Sequence, residues 1–244
     1  MNNSSLLSVG CIVPAQNEAG HLPQVINHIL SISKITEIVV VEGLSKDNTF
    51  EVALDVAAEH PEIIRVIKQT GRGKFNAVME GSKICKSDFL VIWDADGTIS
   101  SLDSEKIITK ALSSNSAATG NRLLGKMEKG SMQFANKIGN WLFALAWVLI
   151  LQRKPMDLLC GTKIFPRIVF DSLPTKLIEA DPYGDFALLA NAKFLGINIH
   201  SVVVNYDARR YGKTNIRRWS GGIKLLIATL HISIWLFRRS SLKK

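Results

Sequence analysis

Two aspartates, Asp94 and Asp96, follow directly on the apolar run FLVIW that ends at Trp93. Carboxylates with this spacing at the end of a strand can converge on one hard divalent cation, whose oxygen shell is completed by water and substrate phosphates. A turn built from aspartate and Gly97 explains the same residues equally well when the motif is taken alone. The spacing therefore predicts a candidate divalent-cation site that needs support from other parts of the chain.

The segment Gly71-Arg72-Gly73-Lys74 points to phosphate binding. At the start of a helix it would place backbone N–H groups and two cations beside a phosphate, where the helix dipole also favours an anion. The segment is not a P-loop, because it lacks the GxxxxGK spacing followed by Ser or Thr. No GxGxxG follows the first apolar run, which argues against a dinucleotide-dependent oxidoreductase.

The elements that must position these residues alternate along the first half of the chain. The predicted strands cover residues 9–15, 37–42, 63–68 and 88–93, and the predicted helices cover residues 18–33, 47–60 and 74–86. This alternation predicts an α/β fold with a mainly parallel sheet covered on both faces. Ligands of such sheets bind beyond the carboxyl ends of the strands. All four predicted strands end in polar or glycine-rich clusters, so we expect a site along this edge.

Length and composition favour one well-filled core. The 244 residues are 47% hydrophobic and 21% charged, which excludes a disordered chain, a collagen-like repeat and a small disulfide scaffold. The cysteines Cys11, Cys85 and Cys160 are widely spaced and fit neither a disulfide framework nor a zinc site, so we expect a reducing compartment. The first seven residues lack the pattern of a secretory signal, which favours the cytosol.

The positive charge is concentrated at the C-terminal end. Residues 205–244 contain ten Lys or Arg and one Asp, which accounts for the whole formal net charge of +9. A cationic end on a neutral body predicts a polyanionic partner there, namely phosphates, anionic lipid or nucleic acid. A basic tail that serves only solubility is the alternative.

Two segments are unusually apolar, Trp141–Leu151 and Leu225–Phe237. Each is shorter than the ~20 residues that a membrane-spanning helix needs. In the second, Lys224, His231 and Arg238 recur every seven residues and would form a polar stripe on one helical face. Amphipathic helices with flanking cations lie along a membrane interface, so we predict interfacial helices near residues 130–151 and 217–244. Core helices or a dimer contact are the alternatives.

Taken in order, the motifs resemble the family 2 glycosyltransferases, inverting enzymes of the GT-A fold that use nucleotide sugars. The likeness is strongest to the branch of dolichyl- and polyprenyl-phosphate sugar synthases. It spans roughly residues 9–216. The motifs that carry it are VPAQNE (13–18), VVVEGLSKDNT (39–49), GRGKFNAV (71–78), WDADG (93–97), GNR (120–122), MDLLCGTK (156–163), DPYGDFALLANA (181–192) and YDARRYGKTN (206–215).

The resemblance implies a role for each matching residue on the donor side. Asp94 and Asp96 would hold Mg²⁺ or Mn²⁺ against the donor diphosphate, and Arg209 would reach that diphosphate from a late loop. The residues that would line or support the nucleotide pocket are Pro14, Asn17, Glu18, Glu42, Asp47, Gly71, Gly73 and Lys74. The chain departs from the family at Glu42-Gly43, where an Asp-Asp pair is usual, and in the late loop, where the cation Lys213 comes two places early.

On the acceptor side, the resemblance places Asp157 and Asp185 near the sugar or acceptor, and Arg122 and Lys137 are candidates to hold an acceptor phosphate. We expect transfer of a sugar from a UDP- or GDP-sugar to a polyprenyl or dolichyl phosphate, with inversion, at the cytoplasmic face of a membrane. A phosphate monoester is already an anionic nucleophile at neutral pH and needs no strong base.

Two alternatives remain open from the sequence. A hydroxyl acceptor on a glycan or glycolipid would need a carboxylate base, for which Asp157 or Asp185 is the candidate. The basic end alone would also fit a membrane- or nucleic-acid-binding module without catalysis. We favour the enzyme, with no nucleic-acid partner, a catalytic domain over residues 1–216 and a basic helical extension over residues 217–244. The sequence does not give the oligomeric state.

Overall fold

The computed structural model describes residues 7–154, 156–211 and 218–241. Its strands are β1 (Val9–Ala15), β2 (Ile35–Glu42), β3 (Ile64–Lys68), β4 (Phe89–Ile92), β5 (Ala117–Asn121), β6 (Lys163–Pro166) and β7 (Ile199–Val203). Its helices are α1 (Leu22–Leu30), α2 (Thr49–Glu59), α3 (Lys74–Ile84), α4 (Ser101–Ser113), α5 (Phe134–Leu151), α6 (Ile168–Asp171), α7 (Thr175–Ala180), α8 (Ala187–Phe194) and α9 (Arg218–Ser241). The predicted division at residue 216 and the end of the motif at 206–215 fall within residues 212–217, outside this description.

The strands form one sheet in the order β3-β2-β1-β4-β6-β5-β7. Strands β1 to β4 pair in parallel, as the alternating pattern predicts, and β5 pairs in parallel with β7. Strand β6 runs antiparallel to both of its neighbours, β4 and β5. The mainly parallel α/β sheet is therefore confirmed, with one reversed strand in its interior.

Each face of the sheet carries its own apolar core. Along β1, Ile12 packs toward α3, α5, α8 and α9, whereas Cys11 and Val13 pack toward α1 and α4. This division follows from the strand geometry, because successive side chains point to opposite faces. The three cysteines are free and buried in these cores.

Helix α1 begins at Leu22, four residues later than the sequence predicts. The preceding residues form a turn in which Asn17 has φ +57°. The Glu18 amide donates to the Thr49 hydroxyl rather than entering a helix, and Pro23 occupies the first turn of α1, where its fixed φ is favourable. Because these residues form a turn and are not part of α1, the chain after β1 can contact the segment that follows β2.

Helices α5 and α9 pack side by side against the body. On α5 the buried Trp147 stacks on Phe186, with ring centroids 4.7 Å apart, and its Nε1 donates to the Thr229 hydroxyl of α9 at 3.2 Å. Leu225, Ala228, Ile232 and Leu236 bury the inner side of α9. Both helices are long and apolar enough to cross a membrane by length and composition alone.

The opposite side of these two helices is apolar and exposed, and we call it the outer face. Its members are Phe134, Ile138, Trp141, Leu142, Leu145 and Leu149 on α5, and Ile223, Leu226, Ile227, Leu230, Ile234 and Phe237 on α9. The predicted polar stripe of Lys224, His231 and Arg238 is exposed among them. These helices therefore differ from ordinary amphipathic helices, because the side turned away from the core is also mostly apolar.

Candidate active site

The loops that follow β1 and β2 are joined by hydrogen bonds between their backbones and side chains. The Asn17 amide donates to the Ser45 hydroxyl at 3.0 Å, and the Lys46 amide donates to Asn17 Oδ1 at 2.7 Å. Glu42, almost fully buried, accepts from the Ser45 amide at 2.5 Å. Asn17 therefore ties the two loops together, and Glu42 fixes the shape of the second loop, at the carboxyl edge of the sheet where the nucleoside pocket was predicted.

Asp47 and Pro14 also belong to this edge. The carboxylate of Asp47 accepts from the amides of Thr49 at 3.1 Å and Ala19 at 3.4 Å, and so ties the start of α2 to the turn after β1. Pro14 is half-buried within β1, opposite Val41 of β2. Both residues shape the pocket wall through the backbone.

The glycine-rich segment leads into α3, with Gly73 at φ +87° directly before Lys74. The Gly71 amide donates to Glu80 Oε1 at 2.9 Å, so that amide is already used within the protein. A Cβ at Gly71 would lie 2.3 Å from Asn76 Oδ1, so this position has no room for a side chain. The side chain that the segment brings into contact with the aspartate motif is that of Lys74.

Lys74 forms an ion pair with Asp94, with Nζ 2.5 Å from Oδ1. Burial alone would raise the pKa of Asp94, but the charge and hydrogen bond of Lys74, together with the charges of Lys163 and Arg122, lower it overall. The pKa of Lys74 is raised: burial would lower it, but the nearby negative charges, first those of Asp94 and Asp185, raise it overall. Both groups are therefore charged at neutral pH.

Asp96 is held by Arg209. Its Oδ1 accepts from the Thr98 hydroxyl at 2.8 Å, while its Oδ2 lies 3.0 Å from Arg209 Nη2. The same guanidinium reaches Glu18, with Nη1 2.6 Å from Oε1. Burial raises the pKa of Glu18 despite the bonds from His21 and Arg209 that oppose the rise. Arg209 thus joins the turn after β1 to the second aspartate of the motif.

The segment that carries Arg209 is fastened at several points. Glu128 accepts from the Ala208 amide at 2.7 Å and pairs with Arg210 at 2.8 Å. Tyr211 meets the buried His21 edge to face, with ring centroids 5.6 Å apart. These contacts hold the backbone of residues 207–211 over the donor side of the site.

The two aspartates suit a divalent cation that is shared with a substrate. They line a cavity of about 20 Å³ together with Arg122, Thr162 and Tyr206 among others. Within residues 7–154, 156–211 and 218–241, no group of three or more His, Cys, Asp or Glu side chains is arranged to hold a metal. Mg²⁺ commonly binds one or two carboxylates and completes its shell with water and phosphate oxygens, so the donor set here fits such an ion.

On the acceptor side, Asp157 is fully buried and bonded to Arg122. The Arg122 Nε and Nη2 atoms lie 2.6 and 3.0 Å from its two oxygens, and Asn140 of α5 donates to Oδ1 at 2.6 Å. Burial would raise the pKa of Asp157, but the charge and hydrogen bonds of Arg122, together with the hydrogen bond from Asn140, lower it overall. Asp157 is therefore an ionised, fully bonded carboxylate rather than a free base.

Asp185 has a comparable partner in Lys163, the first residue of β6. Lys163 is almost fully buried; its Nζ lies 2.6 Å from Asp185 Oδ1 and also donates to the Cys160 carbonyl. The turn that presents Asp185 is built on Asp181, which accepts from the amides of Tyr183, Gly184, Phe186 and Ala187. A second acceptor-side carboxylate is thus neutralised by a buried cation.

The structure separates Lys137 from this group. Its side chain is exposed on α5, one turn before the buried Asn140. The other predicted site residues gather at one edge of the sheet.

Several side chains at this edge were not singled out from the sequence. Lys163 and Asn140 are polar residues that directly precede apolar runs, a position that could have marked them. Tyr206, whose ring lies 4.8 Å beneath the Arg122 guanidinium, and His21 carry no comparable signal, because only the fold brings them to the site.

Comparisons with known proteins agree with this architecture. Residues 11–173 match the family described as Glycosyl transferase family 2. A dolichyl-phosphate beta-glucosyltransferase (ALG5A) of Trichomonas vaginalis is 27% identical over 93% of this chain and 73% of its own length. A dolichyl-phosphate beta-glucosyltransferase of Drosophila melanogaster is 28% identical over 84% of this chain and 69% of its own length.

Among solved structures, the glucosyl-3-phosphoglycerate synthase of Mycobacterium tuberculosis, in complex with Mn²⁺, UDP-glucose and phosphoglyceric acid, superposes with a TM-score of 0.71. It is 18% identical and covers 93% of this chain and 80% of its own. This likeness shows the same fold, the GT-A fold that the motifs imply. Because the family match covers most of the chain, the protein belongs to glycosyl transferase family 2.

Proposed function

We propose that this family 2 glycosyltransferase transfers a sugar from a nucleotide sugar to a polyprenyl or dolichyl phosphate at a membrane surface, with inversion. The observation that carries the choice of acceptor is the pairing of both acceptor-side carboxylates with buried cations. A hydroxyl acceptor needs a base, whereas Asp157 and Asp185 are each neutralised, by Arg122 and Lys163. A phosphate acceptor needs no base, since its oxygen is already anionic.

On the donor side, the chain's own groups match a diphosphate. Lys74 and Arg209 are cations at the mouth of the site, each now paired with one aspartate of the motif. The phosphates of the donor would offer new partners to both cations, and Asp94 and Asp96 would hold Mg²⁺ or Mn²⁺, which would supply stabilising positive charge to the leaving diphosphate. Lys74 and Arg209 add to that stabilisation through their fixed positive charges.

On the acceptor side, the lipid phosphate attacks the anomeric carbon from the face opposite the leaving diphosphate, and the configuration inverts. Arg122 is a cation that lines the cavity together with the two aspartates. We assign it to the acceptor phosphate, with Lys137 guiding the phosphate from the exposed start of α5. Arg122 is already bonded to Asp157, so it would contribute a positive charge in a fixed position to the binding of the acceptor phosphate.

The outer face supports a membrane location. It is continuous over two neighbouring helices, and the exposed Arg238 and Arg239 lie at the end of α9. Apolar side chains bounded by cations suit the interface of a membrane that contains anionic lipid, where each nearby Lys or Arg adds ~1 kcal/mol. The cytoplasmic face is where nucleotide sugars and anionic lipids meet such a surface. A peripheral position there would bring the acceptor's headgroup to the edge of the site.

The names of the relatives agree with this acceptor. Two proteins that match most of this chain are named for dolichyl phosphate and for glucose. The Mn²⁺ and UDP-glucose of the synthase complex belong to a protein with the same fold. We therefore take UDP-glucose with Mn²⁺ as the first donor to test, and GDP-sugars as the comparison.

The test incubates the purified protein with radiolabelled UDP- or GDP-sugars, Mn²⁺ and dolichyl or undecaprenyl phosphate. We expect label in the butanol phase as an acid-labile product, and none with the Asp96→Asn variant. Label found only in water-soluble or glycan products would support the hydroxyl-acceptor alternative. An absence of metal-dependent turnover, with the wild type no better than Asp96→Asn, would support a binding module without catalysis.

A further inference from the structure

Helix α5 carries one buried side chain whose chemistry does not suit its position. Asn140 is 2% exposed and lies on the inner side of a helix whose other buried residues are Ala144, Trp147 and Leu151. Its Nδ2 donates to Asp157, while its Oδ1 has no partner among the residues the structure describes. A buried acceptor without a partner is unfavourable, so leucine would suit the packing at least as well.

Asn140 begins a chain of contacts that ends at the catalytic edge. Asp157, which it contacts, binds the Nε and Nη2 atoms of Arg122. The guanidinium lies over the ring of Tyr206, and both residues line the cavity shared with Asp94 and Asp96. Because Asp157 is bonded to Asn140 as well as to Arg122, the guanidinium of Arg122 is held in one position.

The same helix forms half of the outer face. Trp141 follows Asn140 directly and is exposed, as are Leu142 and Leu145. Helix α5 therefore turns apolar side chains outward and a single amide toward the acceptor-side ion pair. The position of α5 is therefore linked to that of Arg122 through the hydrogen bond from Asn140 to Asp157.

We infer that Asn140 is a positioning residue for the acceptor phosphate: through Asp157 it fixes Arg122 where the lipid headgroup arrives. The inference rests on the proposed function, because it requires a phosphate acceptor. It assigns the amide no contact with substrate. A purely structural role would make a different prediction, since the loss of the amide would then weaken the fold as a whole.

The test replaces the amide by an isosteric apolar side chain in Asn140→Leu. The matched control is Asn136→Leu, the same substitution at an exposed position one turn earlier on α5. Both variants are assayed with a water-soluble short-chain prenyl phosphate and with a long-chain prenyl phosphate in vesicles. Because the effect lies at the headgroup, we expect Asn140→Leu to raise the acceptor KM on the order of tenfold with both acceptors. The control should leave both values unchanged.

Two further measurements separate positioning from folding. For Asn140→Leu, the Tm should stay within about 3 °C of the wild type, and the Kd for UDP with Mn²⁺ within about twofold. In protein labelled with ¹⁵N-arginine, the Nε–H resonance of Arg122 should shift in Asn140→Leu and not in Asn136→Leu. If Asn140→Leu does not fold, Asn140→Ala takes its place in all three measurements.

An unchanged acceptor KM in a folded Asn140 variant would overturn the inference while leaving the proposed function intact. So would a parallel loss of Tm, donor affinity and activity, which indicates a structural role. A wild-type protein that transfers no sugar to any prenyl phosphate would overturn the proposed function itself, and the acceptor role of Asn140 with it.

Discussion

The carboxylate of Asp94 fills the space that a side chain at Gly161 would need. A Cβ at position 161 would lie 1.6 Å from Asp94 Oδ2, far inside any permitted contact. The position of Asp94 therefore depends on Gly161, which lacks a side chain, as well as on strand β4, which precedes it.

Replacing Gly161 by alanine should therefore displace the Asp94 carboxylate. We expect Gly161→Ala to weaken Mn²⁺ binding by at least about tenfold in calorimetric titrations and to reduce sugar transfer in proportion. Gly139→Ala is the matched control, because a Cβ at that helical position meets nothing within 4 Å. Equal Mn²⁺ affinities in the two variants would contradict this account of Asp94.

Because Arg209 is paired with Asp96, we expect it to compete with a divalent cation for this carboxylate in the absence of donor. The variant Arg209→Met removes a cation bonded to Asp96 and Glu18, so it should bind Mn²⁺ more tightly than the wild type when no nucleotide is present. The same variant should transfer sugar about 10²-fold more slowly, because a charge at the diphosphate is lost.

Arg210→Met serves as its control, since Arg210 pairs with the exposed Glu128 and should alter neither quantity strongly. If Arg209→Met binds Mn²⁺ more weakly without nucleotide, the competition does not exist.

Lys163 is a buried cation whose removal leaves Asp185 uncompensated. We expect Lys163→Met to lower the free energy of unfolding by ~3–5 kcal/mol, as in other proteins where one member of a buried pair is removed. The double variant Lys163→Met with Asp185→Asn removes both charges and should recover a large part of that loss. Urea unfolding of the wild type and the variants measures this, and additive losses would show that the two residues do not form an energetic pair.

The lowered pKa of Asp157 gives a signed pH dependence. Because its pKa is lowered, Asp157 in the folded protein stays ionised at a pH where the same carboxyl in the unfolded chain already takes up a proton. Its contribution to stability is therefore present at neutral pH and is lost as the pH falls below the usual aspartate range. Asp157→Asn should be less stable than the wild type at pH 7, and the difference should shrink between pH 5 and pH 3.

The exposed Asp55→Asn is the control for this titration. It carries the same substitution at the surface, and its urea unfolding is measured over the same pH range. A wild-type advantage over Asp157→Asn that grows on acidification would reverse the assigned direction of the shift.

The outer face can be tested without disturbing the core. Deleting α9 would remove buried residues such as Ala228 and Ile232, so a truncation confuses membrane binding with folding. A single change on the exposed side, Leu230→Asp, should reduce sedimentation with anionic vesicles severalfold, with Tm and nucleotide binding unchanged. Ala228→Asp places the same charge in the core and should lower the Tm. Undiminished vesicle binding by Leu230→Asp would contradict the membrane assignment.

The sequence predicted the donor half of the site because that half is local. Strands β1, β2 and β4 are almost wholly buried runs and β3 is a short run at the edge of the sheet, so their ends and the polar clusters after them were visible from the sequence pattern, including Asp94 and Asp96. Strand β5, Ala117–Asn121, was missed because its small and polar residues lack the pattern of a strand, although all five are buried.

The acceptor half depends on pairings between distant parts of the chain. The partnership of Lys163 with Asp185, and of Arg122 with Asp157 and Asn140, follows from the reversal of β6 and the packing of α5. No local pattern in the sequence encodes either partnership. The lysine at the start of an apolar run could have drawn attention to Lys163, but it does not identify Asp185 as its partner.

The reversed strand also separates two parts of the enzyme. Strand β5 ends at the catalytic edge and β6 starts there, so the chain from Arg122 to Lys163 forms an excursion that leaves this edge and returns to it. The excursion contains α5, and most of the residues expected to bind the donor precede it; Arg209 follows it, and Gly161 lies within it beside Asp94. We therefore expect that a designed chimera could exchange the residues between Arg122 and Asp157 and redirect the enzyme to another acceptor, provided that Gly161 and Arg209 are kept.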